Sequence, residues 1–411
     1  MTNKILIMSV YKEYCGDKVR LYTSYKENNE EKLFYYEVNK TYDEYLVDDR
    51  ADAFVVAFIN YALLKGLDID SKIPISTSIY YSLINHYIPT LTNLNKNYKP
   101  IIYSGDYICD IVNSGNAIAT GMSRGVDSFT SFSLNYYNDV PEIYKINTLT
   151  FFDIGSSQSS LTGKFSKKEI IEFKNRDIIK SIKKIEEERF NGASKVAREL
   201  GGLPIIRISS NIQEVQNIKH KYVHSLRSIS AVLSMQKYFK IYYFASTVDI
   251  NATKIDHTDP SYYDLLTLNL FSTKATRFIQ GDIAYSRLKK TDIISNIEIS
   301  YNNLNVCWRD AYNCGRCNKC IRTLVTLDFL NKLENYKNVF DINQYYKNRE
   351  RNIAHVFINR KNDIFYKEIY WFYKKNKINI KKIKRFKYYK FYLYFKIKKT
   401  LKKIFWFLKK N

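Results

Sequence analysis

The sequence predicts an α/β protein built on a parallel sheet, and three observations carry that prediction. From about residue 115, apolar strands alternate with longer polar or amphipathic segments, the pattern of strands joined by crossover helices. The first of those strands runs straight into a small-residue junction, GMSRGVDSF at 121–129. Four cysteines then fall within residues 307–320, beyond the last expected strand.

The chain begins with short alternating runs, KILIMSVY and KLFYYEVN, and an apolar helical stretch, ADAFVVAFINYALLKG, closed by Gly66. A second helix is expected in ISTSIYYSLINHYI, ending before Pro89. Residues 1–110 therefore read as an α+β extension without a chemical motif. In the core, 111–250, the expected strands are AIATGM, INTLTFFDI, LPIIRIS and KIYYFAS. The expected helices lie in GVDSFTSFSLNYY, in the charged segment 167–200 and in HSLRSISAVLSMQKYF, and Gly201-Gly202 ends the second of them. Residues 251–345 carry the cysteines, and 346–411 form a basic helical tail. No internal repeat is visible.

Charge is unevenly spread. The net charge is +24, and residues 367–411 hold 17 Lys/Arg against one Glu, so the body carries only +8. That asymmetry describes a basic appendage on an enzyme-like body and argues against nucleic acid as the main partner. The N-terminus lacks the apolar core and cleavage site of a secretory signal, and the longest apolar run, AFVVAFINYALL, is shorter than the ~18–20 residues of a membrane span. A cytoplasmic location is the expectation.

The junction after AIATGM is where helical N–H groups lack partners and the helix dipole is positive, so Ser, Gly and Asp there suit an anion held on the backbone. A plain helix N-cap would use the same residue types. With Ser123-Arg124-Gly125-Val126-Asp127-Ser128 placed after a strand, the chain resembles the PP-loop ATP pyrophosphatases, whose motif is S-G-G-x-D-S. That resemblance implies a HUP-like nucleotide-binding core, with loop amides and the hydroxyls of Ser123 and Ser128 holding the β,γ-pyrophosphate of ATP. Arg124, Gly125 and Val126 complete the implied ATP-binding loop. Asp127 would brace it or help hold Mg²⁺, and Asp127 with Ser123 would be the catalytic pair. Adenosine would lie near Asp153 and Gly155, in FFDIG at the end of the second strand. Arg124 departs from the motif at its first glycine. If that position needs positive φ, arginine is strained there; alternatively its guanidinium adds a phosphate contact.

Residues 307–320 read CWRDAYNCGRCNKC, or C-x6-C-x2-C-x2-C. Four thiolates so close suit tetrahedral Zn²⁺, and an iron–sulfur cluster uses the same ligand type. Cys307, Cys314, Cys317 and Cys320 would fill the coordination shell, making a zinc ion structural. The continuation CGRCNKCIRT is similar to the zinc segment of the 7-cyano-7-deazaguanine synthases, which are PP-loop enzymes. The longer stretch NLNVCWRDAYNCGRCNKCIRTLVTLDFL resembles a poorly characterised group of PP-loop proteins associated with bacterial surface-polysaccharide clusters.

Together the resemblances imply an ATP-dependent, AMP-forming enzyme acting on a small-molecule or sugar-linked substrate, with a 7-cyano-7-deazaguanine synthase-type enzyme of modified-nucleoside biosynthesis or a non-catalytic nucleotide-binding scaffold as the rival readings. Thr2 follows Met1, so the N-terminal cysteine of some glutaminases is absent, and ammonia would come from solution or a partner. His220 and His224 are four residues apart, Asp256, His257 and Asp259 sit in an Asp-Pro turn, and Cys15 and Cys109 read as buried small residues. In the tail, Ile383, Phe386, Tyr389, Leu393, Ile397, Leu401, Ile404 and Leu408 recur at helical spacing. Lys384, Arg385, Lys387, Lys398, Lys399, Lys402 and Lys403 fall opposite, and Trp406 widens the apolar side. Such a helix suits an anionic membrane surface, and a helix docked on the body is the rival expectation.

Overall fold

A computed structural model describes residues 4–112, 115–156, 176–378 and 390–398, with side chains left out at 176–180. The chain packs as two compact units. One comprises Met1–Ser123 with Asp127–Ala284, the other Arg124–Val126 with Tyr285–Asn411.

The first unit is organised on a ten-stranded sheet. Its N-terminal third is an antiparallel meander, β1 (Lys4–Cys15), β2 (Lys18–Glu27) and β3 (Glu30–Asn39). The hairpin between β2 and β3 turns on Asn28 and Asn29, with φ of +53° and +68°, the pair of left-handed residues that a two-residue turn matching strand twist demands. Short strands β4 (Asp68–Ser71), β5 (Ile75–Ser76), β6 (Tyr103–Ser104) and β7 (Tyr107–Ile108) follow. Then come β8 (Ala117–Gly121), β9 (Thr148–Asp153), β10 (Ile205–Ser210), β11 (Phe239–Tyr243) and β12 (Arg277–Ile279). The order across the large sheet is β12-β11-β8-β9-β10-β3-β2-β1-β4-β6, and β5 pairs with β7 separately.

Strands β8 to β12 are mutually parallel. The chain lays down β8, adds β9 and β10 on one side, then returns to add β11 and β12 on the other. The order therefore reverses between β8 and β11. In open α/β sheets such a switch point opens a crevice at the carboxyl ends of the strands, where ligands bind. Strand β10 also pairs antiparallel with β3 through Ser209↔Glu37 and Ser210↔Tyr36, so the N-terminal meander extends the same sheet.

The apolar stretch expected as a helix is one, Asp52–Lys65, buried nearly all round, with Gly66 at φ +72° returning its N–H to Ala62 O at 2.7 Å. Phe34 meets the edges of Phe54 and Phe58 at 5.1 and 5.6 Å, joining the meander to this helix. Fully burying such a ring contributes about 1.5–3 kcal/mol. The second expected helix does not stop before Pro89. Thr77–Ser82 passes through a π turn, Leu83–Tyr87, into Ile88–Leu94, where Pro89 occupies the first turn and its missing N–H costs nothing. Cys15 and Cys109 are exposed, contrary to the expectation from residue type alone: Cys15 is the last residue of β1, and Cys109 lies on the short segment after β7.

The second unit is helical, with Arg287–Ile294, Asn318–Phe329, Arg349–Asn359 and Ile364–Lys375 as its longer elements. Arg349 grips Asp328 through two nitrogens at 2.7 and 3.2 Å, and Tyr345 Oη donates to the same carboxylate at 2.7 Å. Tyr366 and Ile369 are buried, so Ile364–Lys375 belongs to the body of this unit. Residues 390–398 are helical. Of the expected tail face, Leu393 and Ile397 are 58% and 51% exposed, while the neighbouring Phe395 ring lies 5.3 Å from His355. The remaining apolar and basic positions of that helix, apart from Lys398, lie outside the described residues. Among the described residues no helix is long and apolar enough to cross a membrane.

Candidate functional site

The junction lies where the sheet reverses. Strand β8 is buried over its first four residues and pinned on both sides: Thr120 Oγ1 donates to Tyr243 O of β11 at 2.9 Å, and Met122 N donates to Thr150 O of β9 at 2.8 Å. The helix Val126–Leu134 starts four residues after Met122, with Asp127 in its first turn. Ser123 is exposed, and its Oγ lies 3.2 Å from the buried Ser128 Oγ. Strand end, hydroxyl pair and helix start thus fall within six residues at the carboxyl edge of the central parallel strand.

Arg124 has φ of +63° and is 9% exposed. The first-glycine position does require left-handed backbone, which costs an L residue about 1–2 kcal/mol. Its carbonyl accepts from Asn305 N at 2.8 Å, a bond internal to the second unit.

The edge of β9 holds more chemistry than its sequence suggested. Asp153 accepts from Arg207 at 3.1 Å and is hydrogen-bonded to Glu186 of the helix Arg176–Glu199. Burial, with the charge of Asp153 beside it, pushes the Glu186 carboxyl up to about 9. Arg207 also reaches Glu187 at 2.6 Å and lies over the Phe190 ring at 5.0 Å. Gly155 has φ of +96°, and a Cβ there would stand 2.7 Å from Arg227 Nη1 and 2.8 Å from Gln213 Cβ, so only glycine fits.

Arg227, fully buried in the helix His224–Leu233, was not singled out by sequence reasoning, and neither was Glu186. Residue types give no warning, since both sit in ordinary helical patterns. His220 and His224 have rings 5.9 Å apart, but they fall in a 3-10 turn and at the start of the next helix. His224 Nε2 lies 3.1 Å from Asp259, a carboxylate far away in sequence. The Asp-Pro segment does turn work: Asp256 accepts from Thr258 N at 2.9 Å and Asp259 from Ser261 N at 3.2 Å, while His257 Nδ1 contacts Lys96 N at 3.3 Å. Beside it Asp264 is fully buried, accepts from Ser225 Oγ at 2.8 Å, and is pushed up to about 7 by burial.

In the second unit Cys307, Cys314, Cys317 and Cys320 converge, with all four sulfurs within 4.8 Å of one another. A tetrahedral ion with Zn–S near ~2.3 Å places its ligands ~3.8 Å apart, and Cys314 and Cys320 are at 4.0 Å. The local fold explains the convergence. Gly315, at φ +66°, turns the chain between the second and third ligands. Cys317 is the N-cap of Asn318–Phe329 and accepts from Cys320 N at 3.4 Å, fixing the last two ligands across one helical turn. Asn313 bridges Val306 N at 2.9 Å and Leu304 O at 2.8 Å, holding the Cys307 arm alongside. Hydrogen bonds with Cys317 and Cys320 pull the Cys307 thiol far down, while those with Cys307 and Cys317 push Cys320 up. Alone the sulfurs therefore share protons; a divalent cation would displace them. The group could hold a metal ion such as zinc.

Protein-family models, curated proteins and solved structures give no match to this chain. The architecture by itself is that of an α/β fold of nucleotide-binding type, with a mostly parallel central sheet and a four-cysteine cluster that could bind a metal.

Proposed function

We propose that the protein is an ATP-dependent, AMP-forming enzyme of the PP-loop type. The observation that carries this reading is the placement of Ser123-Arg124-Gly125-Val126-Asp127-Ser128 between the carboxyl end of β8 and a helix N-terminus, at the switch point of a parallel sheet. Loop amides and the Ser123 and Ser128 hydroxyls hold the pyrophosphate portion of ATP, and Asp127 braces the loop or helps hold Mg²⁺. A carboxylate or amide-type oxygen of the substrate attacks the α-phosphate, pyrophosphate leaves, and ammonia or an amine then displaces AMP. The loop's contribution is electrostatic, because phosphoryl chemistry needs positioning and charge stabilisation more than a covalent protein group. In the same reading the four cysteines hold a structural Zn²⁺, and the substrate is a small molecule or sugar-linked acid of surface-polysaccharide assembly.

The test uses ATP labelled at the α-phosphate with Mg²⁺ and a panel of carboxylic acids plus ammonium. Labelled AMP with stoichiometric pyrophosphate supports the reading, and labelled ADP overturns it. Asp127→Ala and Ser123→Ala should each abolish AMP formation, by at least ~100-fold if they support the transition state as electrostatic groups do, while leaving the circular-dichroism spectrum unchanged.

A further inference from the structure

The least expected group in the first unit is Arg227. It is 0% exposed, and every acceptor it has found is neutral: Nε donates to Gln216 Oε1 at 2.8 Å, and Nη1 to Gln213 Oε1 at 2.6 Å and to Ile154 O at 3.3 Å. His220 Nδ1 lies 3.3 Å from Nη1. Among the described residues Nη2 has no hydrogen-bond partner and no carboxylate stands beside the guanidinium. Burying a cation without a counter-charge costs several kcal/mol, and a removed partner leaves the same penalty exposed. Burial accordingly draws this guanidinium down to about 10. Buried polar groups are satisfied in more than nine cases of ten, so an orphaned guanidinium nitrogen calls for an explanation.

Its position supplies one. Nη1 bonds to the carbonyl of Ile154, the residue just past β9, and Gly155 is the glycine whose missing Cβ lets the chain approach the guanidinium. The group therefore stands at the carboxyl end of a parallel strand, one strand from the switch point. Arg227 also lies in the first turn of His224–Leu233, a ten-residue helix whose N-terminus no side chain caps, so the positive end of its dipole adds to the guanidinium charge. Gln213 and Gln216 hold the fork in place through neutral dipoles and leave its charge unspent.

We propose that Arg227 is the anchor of an anion-binding subsite at the carboxyl end of β9, which receives a phosphoryl or carboxylate oxygen of a bound ligand on Nη2. The subsite stands on Arg227, Gly155 and the uncapped helix, and does not depend on the loop at 123–128 binding ATP. A guanidinium donates in the fork geometry that both anions match. Ligand entry requires the side chains around Arg227 to shift, since Nη2 is shut off from solvent as they now stand.

The experiment is thermal unfolding of the full chain titrated with inorganic phosphate, pyrophosphate or succinate, at constant ionic strength against chloride. The wild type should gain several degrees with one of these anions, and saturably; phosphate or pyrophosphate alone assigns a phosphoryl ligand, succinate alone a carboxylate. Arg227→Met, which replaces a buried charge by an apolar chain of similar length, should melt at or above the wild-type midpoint without anion and lose the gain. Arg227→Lys, keeping the charge but not the fork, should retain only part of it and covers the case in which the methionine variant fails to fold. Absence of a gain for all three anions overturns the proposal, and so does an undiminished gain in either variant. Ser123→Ala separates the two sites: a gain that it abolishes while both Arg227 variants keep it belongs to the loop and overturns the subsite, and a gain that it leaves intact supports the subsite.

Discussion

Replacing Cys317 by serine separates the metal from the helix it caps. In the native chain Cys317 Sγ accepts from Cys320 N at 3.4 Å and begins Asn318–Phe329. Serine is a favoured N-cap, worth about 1 kcal/mol over alanine, so Cys317→Ser keeps the cap and removes one of four metal ligands. What is lost is then the linkage free energy of the ion. A metal present at a thousandfold over its dissociation constant stabilises the folded state by about 4 kcal/mol. For a unit the size of Tyr285–Asn411 that corresponds to a drop of roughly 10 °C or more in its unfolding midpoint. Structural binding energy is also folding energy, so the loss should be confined to the second unit. The assay combines metal analysis of the purified chain with calorimetry and hydrogen exchange resolved by segment. Wild type should carry one zinc per chain; chelation should lower the midpoint and raise exchange in 285–378, and Cys317→Ser should match the chelated wild type. A metal-free wild type whose stability chelator leaves unchanged would refute the reasoning, and an iron–sulfur absorption spectrum would refute zinc.

Three further outcomes are expected. Gly155→Ala should destabilise the first unit by about 2–5 kcal/mol in urea unfolding, from left-handed strain plus overpacking against Arg227 and Gln213; a loss under 1 kcal/mol would mean that these side chains move aside freely. Asp264 has its folded pKa raised to about 7 from an unfolded value near ~3.9, so its contribution to stability is present at low pH and lost as pH rises through that window. Asp264→Asn should therefore flatten stability between pH 4 and 7 and gain up to about 4 kcal/mol at pH 8; an unchanged pH profile counts against the buried-acid account. For the tail, truncation must begin at residue 379, because Ile364–Lys375 contributes buried Tyr366 and Ile369. That truncation should abolish co-sedimentation with anionic vesicles and leave unfolding of the first unit unaltered, and binding by the full chain to neutral and anionic vesicles alike would sink the proposal of an anionic membrane surface.

Much of the sheet was legible because parallel strands buried on both faces are continuous apolar runs. AIATGM, INTLTFFDI, LPIIRIS and KIYYFAS coincide with β8, β9, β10 and β11. The turn chemistry was legible too, since Gly66, Gly201 and Gly202 all have positive φ. Lateral order was not. Nothing in KLFYYEVN shows that β3 will pair with β10, about 170 residues later, through only two residue pairs. Pro89 misled for a different reason: a proline ends a helix or begins one depending on which side its neighbours pack, and tertiary burial of Ile88 and Leu91 decides for the second. Burial of Cys15 and Cys109 was inferred from residue type, which says nothing about whether a strand end or a loop carries it.

Spacing makes the cysteine cluster and the loop readable, because a metal or an anion held by neighbouring residues writes its geometry into one short segment. Glu186 and Arg227 escape that logic. Each acquires its chemistry from surroundings that only the fold supplies: burial, with Asp153 beside it, raises Glu186, and Gly155 admits Arg227 to the end of β9. The glycine is the one trace that sequence leaves of this encounter. FFDIG stood out only as the place implied for adenosine, and a glycine with φ of +96° whose Cβ would strike a guanidinium records that something charged must approach the backbone there. A buried cation without an acid beside it raises the energy of the empty fold, and the fold tolerates that cost only where a negatively charged visitor lowers it again. By that reasoning the carboxyl edge of the sheet holds two anion-receiving elements of different design. The loop after β8 offers amides and hydroxyls, and the end of β9 a preformed guanidinium. A ligand that carries two separated anionic groups, or two ligands brought together for reaction, would use both, so saturating one element should tighten the other in a binding titration; strictly independent affinities would show that the two serve unrelated ligands.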